Sequence, residues 1–326
     1  MKRWLAGIVT LILLGSASTY WFWQDLQTPA PLPPGGAVVS IAAGETFRAI
    51  SARLQAAGVV RHDWVVRVWA RWTGVDHLVQ SGEYRFDRPL SPLEVLAMLR
   101  LPTAALHRVT IPEGSTVSQV AELFAAAGFG GADQFLCLAR DLRFLLSVDA
   151  PAGGIEGHLF PDTYAFAWST PPEQILTAMV DRFREQTASL QARRLDAGLT
   201  EEQMVTLGSL IEKETGAKNE RALVSAVFHN RLQLGMPLQS DPTAMYGRDV
   251  RGAPKAADLA VESPYNTYLH DGLPPGPICN PGRAALEAAL NPARVPYLYF
   301  VSRNDGTHAF SRTLEEHNHA VARFQR

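Results

Sequence analysis

The chain has 326 residues, enough for two folded domains, and a globular composition of 47% hydrophobic and 19% charged residues. Its 30 basic and 32 acidic side chains leave no cationic excess to neutralise phosphates, which argues against a nucleic-acid partner. Two cysteines, Cys137 and Cys279, are too few for a disulfide scaffold or a cysteine metal cluster. They fit two unrelated thiols better than one disulfide bond.

An uncharged apolar segment, residues 4–23, directly follows Lys2 and Arg3. A helix of that length spans about 30 Å, the thickness of a bilayer core, and the basic residues before it predict a cytoplasmic N-terminus. A cleaved signal peptide is the alternative, but the apolar run continues into bulky aromatic residues beyond the small-residue site at 16–18. We therefore expect residues 1–24 to form an uncleaved transmembrane signal anchor.

A Pro/Gly-rich stretch over residues 25–37 predicts an extended linker that stays outside any core. After it, a strand–turn–helix pattern that includes Ile41 recurs at Ile111, with matching Gly, Thr and Ala-Ala-Gly positions. In each copy a Thr is placed to cap the start of the helix and a Gly to cap its end. Chance similarity of two common units is the alternative to a true repeat. The sequence thus predicts an α+β protein. A small module occupies residues 38–105, and a mixed α/β domain over residues 106–326 holds the second copy of the repeat at residues 109–128.

Helix and strand signals occupy the rest of the chain. Ser91 and Glu94 have the spacing of a capping box, and Thr200 and Gln203 repeat that spacing. The other predicted elements are a helix, a strand, an irregular loop, a helix from Pro172 and a C-terminal strand–strand–helix: residues 63–72, 81–86, 155–166, 172–189 and 295–320.

The helix after Thr200 carries two carboxylates, Glu212 and Glu214, which point about 200° apart. Glu214 falls on the side away from the apolar stripe, four residues before Lys218, and is expected to be solvated. Glu212 lies at the edge of the stripe, where Gly208 is expected to leave space over it. Such an environment raises a carboxyl pKa, as a general acid requires, although a helix-edge glutamate that reaches solvent is the alternative.

Two segments follow this helix: residues 229–247, which are expected to end a further helix and then form a polar loop, and residues 263–282, a long irregular loop. The second is dense in Pro, Gly, Asn and Tyr and nearly free of charge. Long loops of this kind are usually functional, and aromatic rings beside neutral hydrogen-bonding groups suit sugars.

Several of these motifs resemble the YceG-like family of endolytic murein transglycosylases. They are SLIEKET, LQSDPTAMYG, SPYNTYLHDGLPPGPICNPG, EGHLFPDTY, and YLYFVS followed by HAFS and EHN. The resemblance extends over nearly the whole chain and implies a LysM-like module before a catalytic domain. It also implies cleavage of nascent peptidoglycan strands at the outer face of the cytoplasmic membrane, which would limit strand elongation, with peptidoglycan synthases as candidate partners.

The resemblance implies that Glu212 is the catalytic glutamate. A single carboxylate suffices for this reaction. It first protonates the glycosidic oxygen between N-acetylmuramic acid and N-acetylglucosamine and then deprotonates the C6 hydroxyl of the muramic acid. No second carboxylate is needed, because that hydroxyl nucleophile is already tethered. A turn-forming role is the alternative for Asp241, and loop packing is the alternative for the other polar candidates. The candidates for binding sugar are Gln239, Asp241, Tyr246, Tyr265 and Asn266.

Other functional classes fit less well. His308, His317 and His319 lack the spacing of a zinc-binding helix, and no serine lies in a G-x-S-x-G motif, so neither a metal nor another cofactor is predicted. A membrane-anchored scaffold that binds peptidoglycan without cleaving it is the alternative function.

Overall fold

The structure, a computed structural model, describes residues 2–325 except 43, 102–105, 152, 169 and 249–254. At residues 2–6, 8–12 and 218 it describes the backbone alone. The chain divides into two compact units, Met1–His107 with Ala165–Thr170, and Arg108–Tyr164 with Pro171–Arg326. Each unit has its own hydrophobic core.

The described residues of the first unit form four α-helices, a short 3₁₀ turn and an antiparallel strand pair around one core. Burial alternates along the first strand, so Val39 and Ile41 face the core while Ser40 between them is exposed. Val39 pairs with Tyr84 of the second strand, and both are almost fully buried. The elements are α1 (Lys2–Gln27), β1 (Ala37–Ile41), α2 (Phe47–Ala56), α3 (Asp63–Thr73), β2 (Gly82–Phe86) and α4 (Pro92–Leu99).

The predicted membrane anchor falls within α1, which is helical from Lys2 to Gln27. Among the described residues, no helix is both long enough and apolar enough to cross a membrane.

The predicted linker packs against the first unit. Ala30 is buried and Leu32 contacts the core of this unit, while the Arg61 guanidinium donates a hydrogen bond to the Pro29 carbonyl across 3.0 Å. The expectation that residues 25–37 stay outside any core is therefore wrong. An extended proline-rich chain can lie on a protein surface because prolines have no N–H group to satisfy and present apolar rings.

The remaining elements begin with a strand that leads into the second copy of the repeat. They are β3 (His107–Thr110), α5 (Val117–Ala126), α6 (Ala132–Leu138), α7 (Leu142–Ser147), β4 (Thr163–Phe166), α8 (Pro172–Thr187), α9 (Gln191–Asp196), α10 (Glu201–Glu214), α11 (Arg221–Gln233), α12 (Asp241–Met245), α13 (Ala256–Leu259), α14 (Arg283–Leu290), β5 (Tyr299–Ser302), β6 (His308–Ser311) and α15 (Leu314–Phe324). Strand β3 pairs with β4, and β5 pairs antiparallel with β6. Short 3₁₀ turns occur at Val75–His77, Ala188–Leu190 and Lys218–Glu220.

The two predicted strand–turn–helix units are confirmed. Thr46 caps α2 by accepting a hydrogen bond from the Ala49 backbone, and Thr116 caps α5 with Gln119 in a capping box. The glycine that follows each helix adopts a positive φ, as an αL cap requires. The predicted capping boxes at the starts of α4 and α10 are also present.

Helix α10 lies inside the second unit, where it packs against α11, α12 and α14. Every residue from Met204 to Ile211 is buried, so this part of the helix has no solvent-facing side. A Cβ atom on Gly208 would lie 2.9 Å from Cδ2 of Leu286 in α14. The expectation that Gly208 leaves space over Glu212 is therefore wrong, because Leu286 fills that space.

Candidate active site

A polar cleft of about 460 Å³ opens at the C-terminal end of α10. It is bounded by the end of α10, the segment that leads into α12, the β5–β6 hairpin and α15. The described residues that line it are Glu214, Arg231, Leu238, Gln239, Asp241, Tyr268, Phe300, Val301, Ser302, Asn304, His308, His317, Val321 and Gln325.

Glu214 lies in the wall of this cleft. Its Oε1 atom accepts a hydrogen bond from the Ser240 hydroxyl across 2.6 Å. Burial raises the pKa of Glu214 to about 7, against the opposing effect of the Ser240 bond and with a further contribution from the negative charge of Asp241. The expectation that Glu214 is a solvated surface residue is therefore wrong, and the side chain of its expected partner Lys218 lies outside the described residues. Glu214 has the environment of a carboxyl group that exchanges a proton near neutral pH.

Glu212 has a different environment. Its Oε1 atom lies 3.2 Å from Nη2 of Arg221, and its Oε2 atom accepts a hydrogen bond from the Gly282 backbone across 3.0 Å. The Glu212 and Arg221 side chains are only 7% and 10% exposed, and Arg221 also contacts Glu113 at 3.4 Å. Both carboxylate oxygens of Glu212 already bind protein groups, and Glu212 is not among the described residues that line the cleft. This arrangement is typical of a buried structural ion pair.

Gln239, in the segment that leads into α12, and Asp241, the first residue of α12, both line the cleft. Gln239 adopts a left-handed backbone conformation with φ +52°, and its side-chain oxygen accepts a hydrogen bond from Nη1 of Arg231 across 3.2 Å. Asp241 Oδ1 accepts a hydrogen bond from the Tyr268 hydroxyl across 2.6 Å. These two predicted residues thus share the cleft with Glu214, and both are held by neighbouring side chains.

Tyr246 and Tyr265 form a separate aromatic pair, with ring centres 4.6 Å apart. The Tyr246 hydroxyl donates a hydrogen bond to Oε2 of Glu156 across 3.1 Å. Neither tyrosine is among the described residues that line the cleft. The structure therefore brings these two predicted residues together with each other, next to Glu156.

Asn266 is fully buried within its own loop. Its side-chain nitrogen donates hydrogen bonds to the carbonyls of Leu259 and Val261, at 2.9 and 2.8 Å, and its side-chain oxygen accepts one from the Tyr268 backbone. These contacts join Asn266 to the end of α13, to Val261 and to the Tyr268 backbone, so its side chain is used to hold the loop in place.

Glu156 is a buried carboxyl group that the sequence analysis did not single out. It accepts hydrogen bonds from the Val117 backbone, the Tyr246 hydroxyl and the Asn280 side chain. Burial raises its pKa to about 7, although the Val117 and Tyr246 hydrogen bonds oppose this increase. The sequence feature that could have identified Glu156 is its position in EGHLFPDTY, a motif interrupted by Gly and Pro.

Two histidines that the sequence analysis considered only as metal ligands also line the cleft. Nδ1 of His308 lies 2.8 Å from Oε2 of Glu220. His317 stacks on Tyr299 at 5.2 Å, and burial lowers its pKa, with a further contribution from the positive charge of Arg231. Among the described residues, Nδ1 of His317 has no hydrogen-bond partner although it is buried. The sequence features that could have identified these histidines are the motifs HAFS, which contains His308, and EHN, which contains His317.

The cysteines are both free in the structure. Cys137 is exposed, whereas Cys279 is fully buried and its thiol lies 3.4 Å from the Ser209 carbonyl. Cys279 therefore belongs to the packing around α10.

Comparisons with known proteins agree on one family. The sequence profile of the YceG-like family matches residues 39–323. A protein of Bacillus subtilis named endolytic murein transglycosylase is 30% identical over 303 residues, which cover 88% of this chain and 84% of that protein. A Streptococcus pneumoniae protein of the same name is 28% identical over 359 residues; the match covers 99% of this chain but 65% of the longer relative. The crystal structure of a YceG-like protein from Listeria monocytogenes has a TM-score of 0.63 and 30% identity, covering 86% of this chain and 97% of that one.

Proposed function

This chain belongs to the YceG-like family, and we propose that it is an endolytic murein transglycosylase, the activity for which its relatives are named. The substrate is the glycan strand of peptidoglycan. The bond cleaved joins N-acetylmuramic acid to N-acetylglucosamine, and the product is a 1,6-anhydro end that limits further growth of the strand.

We assign the catalytic proton transfer to Glu214, in place of the predicted Glu212. The observation that carries this assignment is the position of Glu214 in the cleft wall with a pKa of about 7. A general acid works best when its pKa lies near the working pH, because a useful fraction is protonated and the proton is readily released. Glu212 remains bound to Arg221 and to the Gly282 backbone outside the cleft lining, which supports a structural role.

The reaction needs one carboxyl group in two roles. Protonated Glu214 donates its proton to the glycosidic oxygen as the bond from that oxygen to C1 breaks. The C6 hydroxyl of the same muramoyl residue then attacks C1, and the Glu214 carboxylate accepts the hydroxyl proton. The proton lost in the first step is thereby regained, and no water is consumed. Because the nucleophile is part of the substrate, a second carboxylate to activate water is unnecessary.

Neighbouring groups support this cycle. Asp241 lies close enough to raise the pKa of Glu214 by charge repulsion, and its own Oδ1 is held by Tyr268. The Ser240 hydroxyl stabilises the charged form of Glu214 that exists between the two steps.

The proposed cellular setting rests on the sequence. The uncharged segment 4–23 after two basic residues supports a single-pass anchor in the cytoplasmic membrane, with the folded units on the outer face. The strand–turn–helix unit of the first folded unit supports a LysM-like module that contacts peptidoglycan, and peptidoglycan synthases are candidate partners there.

The experiment compares wild type, Glu214→Gln and Glu212→Gln on purified glycan strands, with 1,6-anhydro ends counted by mass spectrometry. We expect wild type and Glu212→Gln to form anhydro ends, and Glu214→Gln to form none while still binding strands. Loss of product in Glu212→Gln alone would restore the predicted assignment. Binding without anhydro products in the wild type would favour the non-catalytic scaffold.

A further inference from the structure

Helix α1 continues from the uncharged N-terminal segment directly into the core of the first unit. Leu26, near the end of the helix, is fully buried. Asp25 is also buried, and its Oδ1 atom lies 2.9 Å from Nδ1 of His62, the residue that precedes α3. The uncharged segment that supports a membrane anchor ends at residue 23. The folded unit therefore begins within one helical turn of the end of that segment.

Helix α3 carries an apolar stripe on its solvent-facing side. Trp64, Val68 and Trp72 are spaced four residues apart, so they share one face of the helix. All three are exposed, and Trp72 is exposed to 77%. The opposite face of α3 is buried in the core of the unit. A continuous row of large apolar side chains in contact with solvent is typical of a surface that meets a membrane or another molecule.

Aromatic rings connect this stripe to the end of α1. The Trp64 ring stacks on Trp21, with ring centres 5.7 Å apart and an angle of 12° between the planes. Trp72 contacts Trp69 at 5.2 Å, and Trp69 contacts Trp23 at 5.6 Å. Both tryptophans of α1 are themselves exposed. The α3 stripe and the end of the uncharged segment thus form one continuous aromatic surface.

The residue types of the aromatic surface fit the headgroup layer of a phospholipid bilayer. Tryptophan is enriched at membrane–water interfaces because its ring is apolar while its N–H group can stay hydrated. Arg67 and Arg71 flank the stripe; both pair with neighbouring carboxylates, and the Arg71 side chain remains largely exposed. An exposed guanidinium can bind a lipid phosphate. Tryptophans on an apolar helix face with arginines beside it are typical of helices that lie in the plane of a membrane interface.

We propose that the aromatic surface lies in the headgroup layer of the outer leaflet, so that the membrane covers the exposed face of α3. This inference rests on the membrane setting proposed above and not on the catalytic assignment. The burial of Asp25 and Leu26 carries the geometry: because the folded unit begins within one turn of the end of the anchor, the part of α3 beside that end lies at the bilayer surface. The first unit is thereby held at a fixed height on the membrane.

The test places a polarity-sensitive fluorophore on the full-length protein in vesicles of phosphatidylethanolamine and phosphatidylglycerol. Cys137→Ser removes the exposed thiol, the buried Cys279 stays unlabelled, and Val68→Cys supplies a labelling site in the middle of the stripe. Val38→Cys is the matched control. Val38 is the same residue type and shares the 52% exposure of Val68, but it lies on β1 and faces away from the core.

We expect opposite responses at the two positions. A nitroxide carried by the lipid near its headgroup should quench the fluorophore at residue 68 and leave the one at residue 38 unchanged. The aqueous quencher acrylamide should quench residue 38 and lose its effect at residue 68. If Val68→Cys fails to fold, Trp72→Cys on the same stripe replaces it. Quenching of the stripe by acrylamide alone, as in the control, would overturn the proposal.

A glycan strand is the competing occupant of this face. A groove of about 990 Å³ between the start of α2 and the end of α3 includes Val68 and Trp72 in its lining, and a LysM-like module is expected to bind glycan. If strands added to the vesicles shield residue 68 from acrylamide while the lipid nitroxide has no effect there, the face belongs to glycan and the proposal is overturned.

The outcomes separate this inference from the proposed activity. Anhydro products from the same vesicles, with residue 68 open to acrylamide, would leave the transglycosylase in place and remove the membrane contact of α3. Lipid quenching at residue 68 without anhydro products would do the reverse. Failure of the full-length protein to enter vesicles would remove both the anchor and this contact.

Discussion

The Ser240 hydroxyl donates a hydrogen bond to Oε1 of Glu214 across 2.6 Å. The bond joins the segment before α12 to the end of α10. It favours the charged form of Glu214 and so lowers a pKa that burial raises. The Ser240 hydroxyl therefore lowers the pKa of the carboxyl that we propose as the catalytic acid.

Removal of that hydroxyl should change the pH dependence of activity. In wild type, kcat/KM should fall as pH rises through about 7, because Glu214 must be protonated to act as the acid. Ser240→Ala should move this alkaline limb to higher pH, since the stabilisation of the carboxylate is lost. Ser302→Ala is the control: Ser302 lines the cleft without contacting Glu214, so its limb should stay in place. A limb that moves to lower pH in Ser240→Ala would contradict the assignment.

Glu214 should also make the folded protein less stable as pH rises. Its carboxyl has a pKa of about 7 when folded and an ordinary value of 4.5, so between these values the folded state holds a proton that the unfolded state has released. The free energy of unfolding therefore falls from about pH 4.5 to pH 7 through this group. Denaturant unfolding should show that Glu214→Gln has a higher free energy of unfolding than wild type at pH 8, and that this difference is smaller at pH 5. Replacement of the exposed Glu122 by Gln should give no such pH-dependent difference.

Gly208→Ala should destabilise the second unit. The added Cβ would lie 2.9 Å from Cδ2 of Leu286, which is fully buried and has little room to move. Overpacking of this kind costs about 1–3 kcal/mol, and the better helix propensity of Ala recovers roughly 1 kcal/mol at most. Urea unfolding measures the difference. Gly153→Ala, where a Cβ meets nothing within 4 Å, is the matched control and should have a midpoint close to wild type.

The two cysteines should react separately. The exposed Cys137 should be modified by a thiol reagent in the native protein, whereas Cys279 is fully buried and burial raises its pKa. We expect one thiol per chain to react before unfolding and two after it. Absence of any reaction before and after unfolding would indicate a disulfide bond.

Local sequence signals predicted much of the fold. The caps at Ser91, Thr116 and Thr200 depend on residues within one turn of the helix, and all three are confirmed. The proline-rich segment was less predictable, because the packing of Ala30 depends on a surface made by distant residues.

The two glutamates of α10 show where local reasoning fails. A helix with one apolar stripe has a solvent side, and on such a helix Glu214 would be exposed. Helix α10 is instead buried all round from Met204 to Ile211, so the direction of a side chain does not reveal its environment. Ser240 and Arg221, which distinguish Glu214 from Glu212, come from other parts of the sequence.

The residues predicted to bind sugar also differ in their environments. Gln239 and Asp241 line the cleft, whereas the amide of Asn266 binds the carbonyls of Leu259 and Val261; sugar binding by these residues stays a prediction. Composition predicted a loop suited to sugars. It could not tell which polar groups face a ligand, because that depends on the hydrogen bonds made inside the loop.

The contacts of Arg231 bear on how the cleft receives a long polymer. One guanidinium is bonded both to the Leu298 carbonyl, at the approach to β5, and to the Pro237 and Leu238 carbonyls, before α12. The Arg231 side chain thus holds the segment before β5 and the segment before α12 in a fixed relation to each other. These two segments are therefore ordered before a glycan strand binds, so little loop ordering is left to oppose its binding.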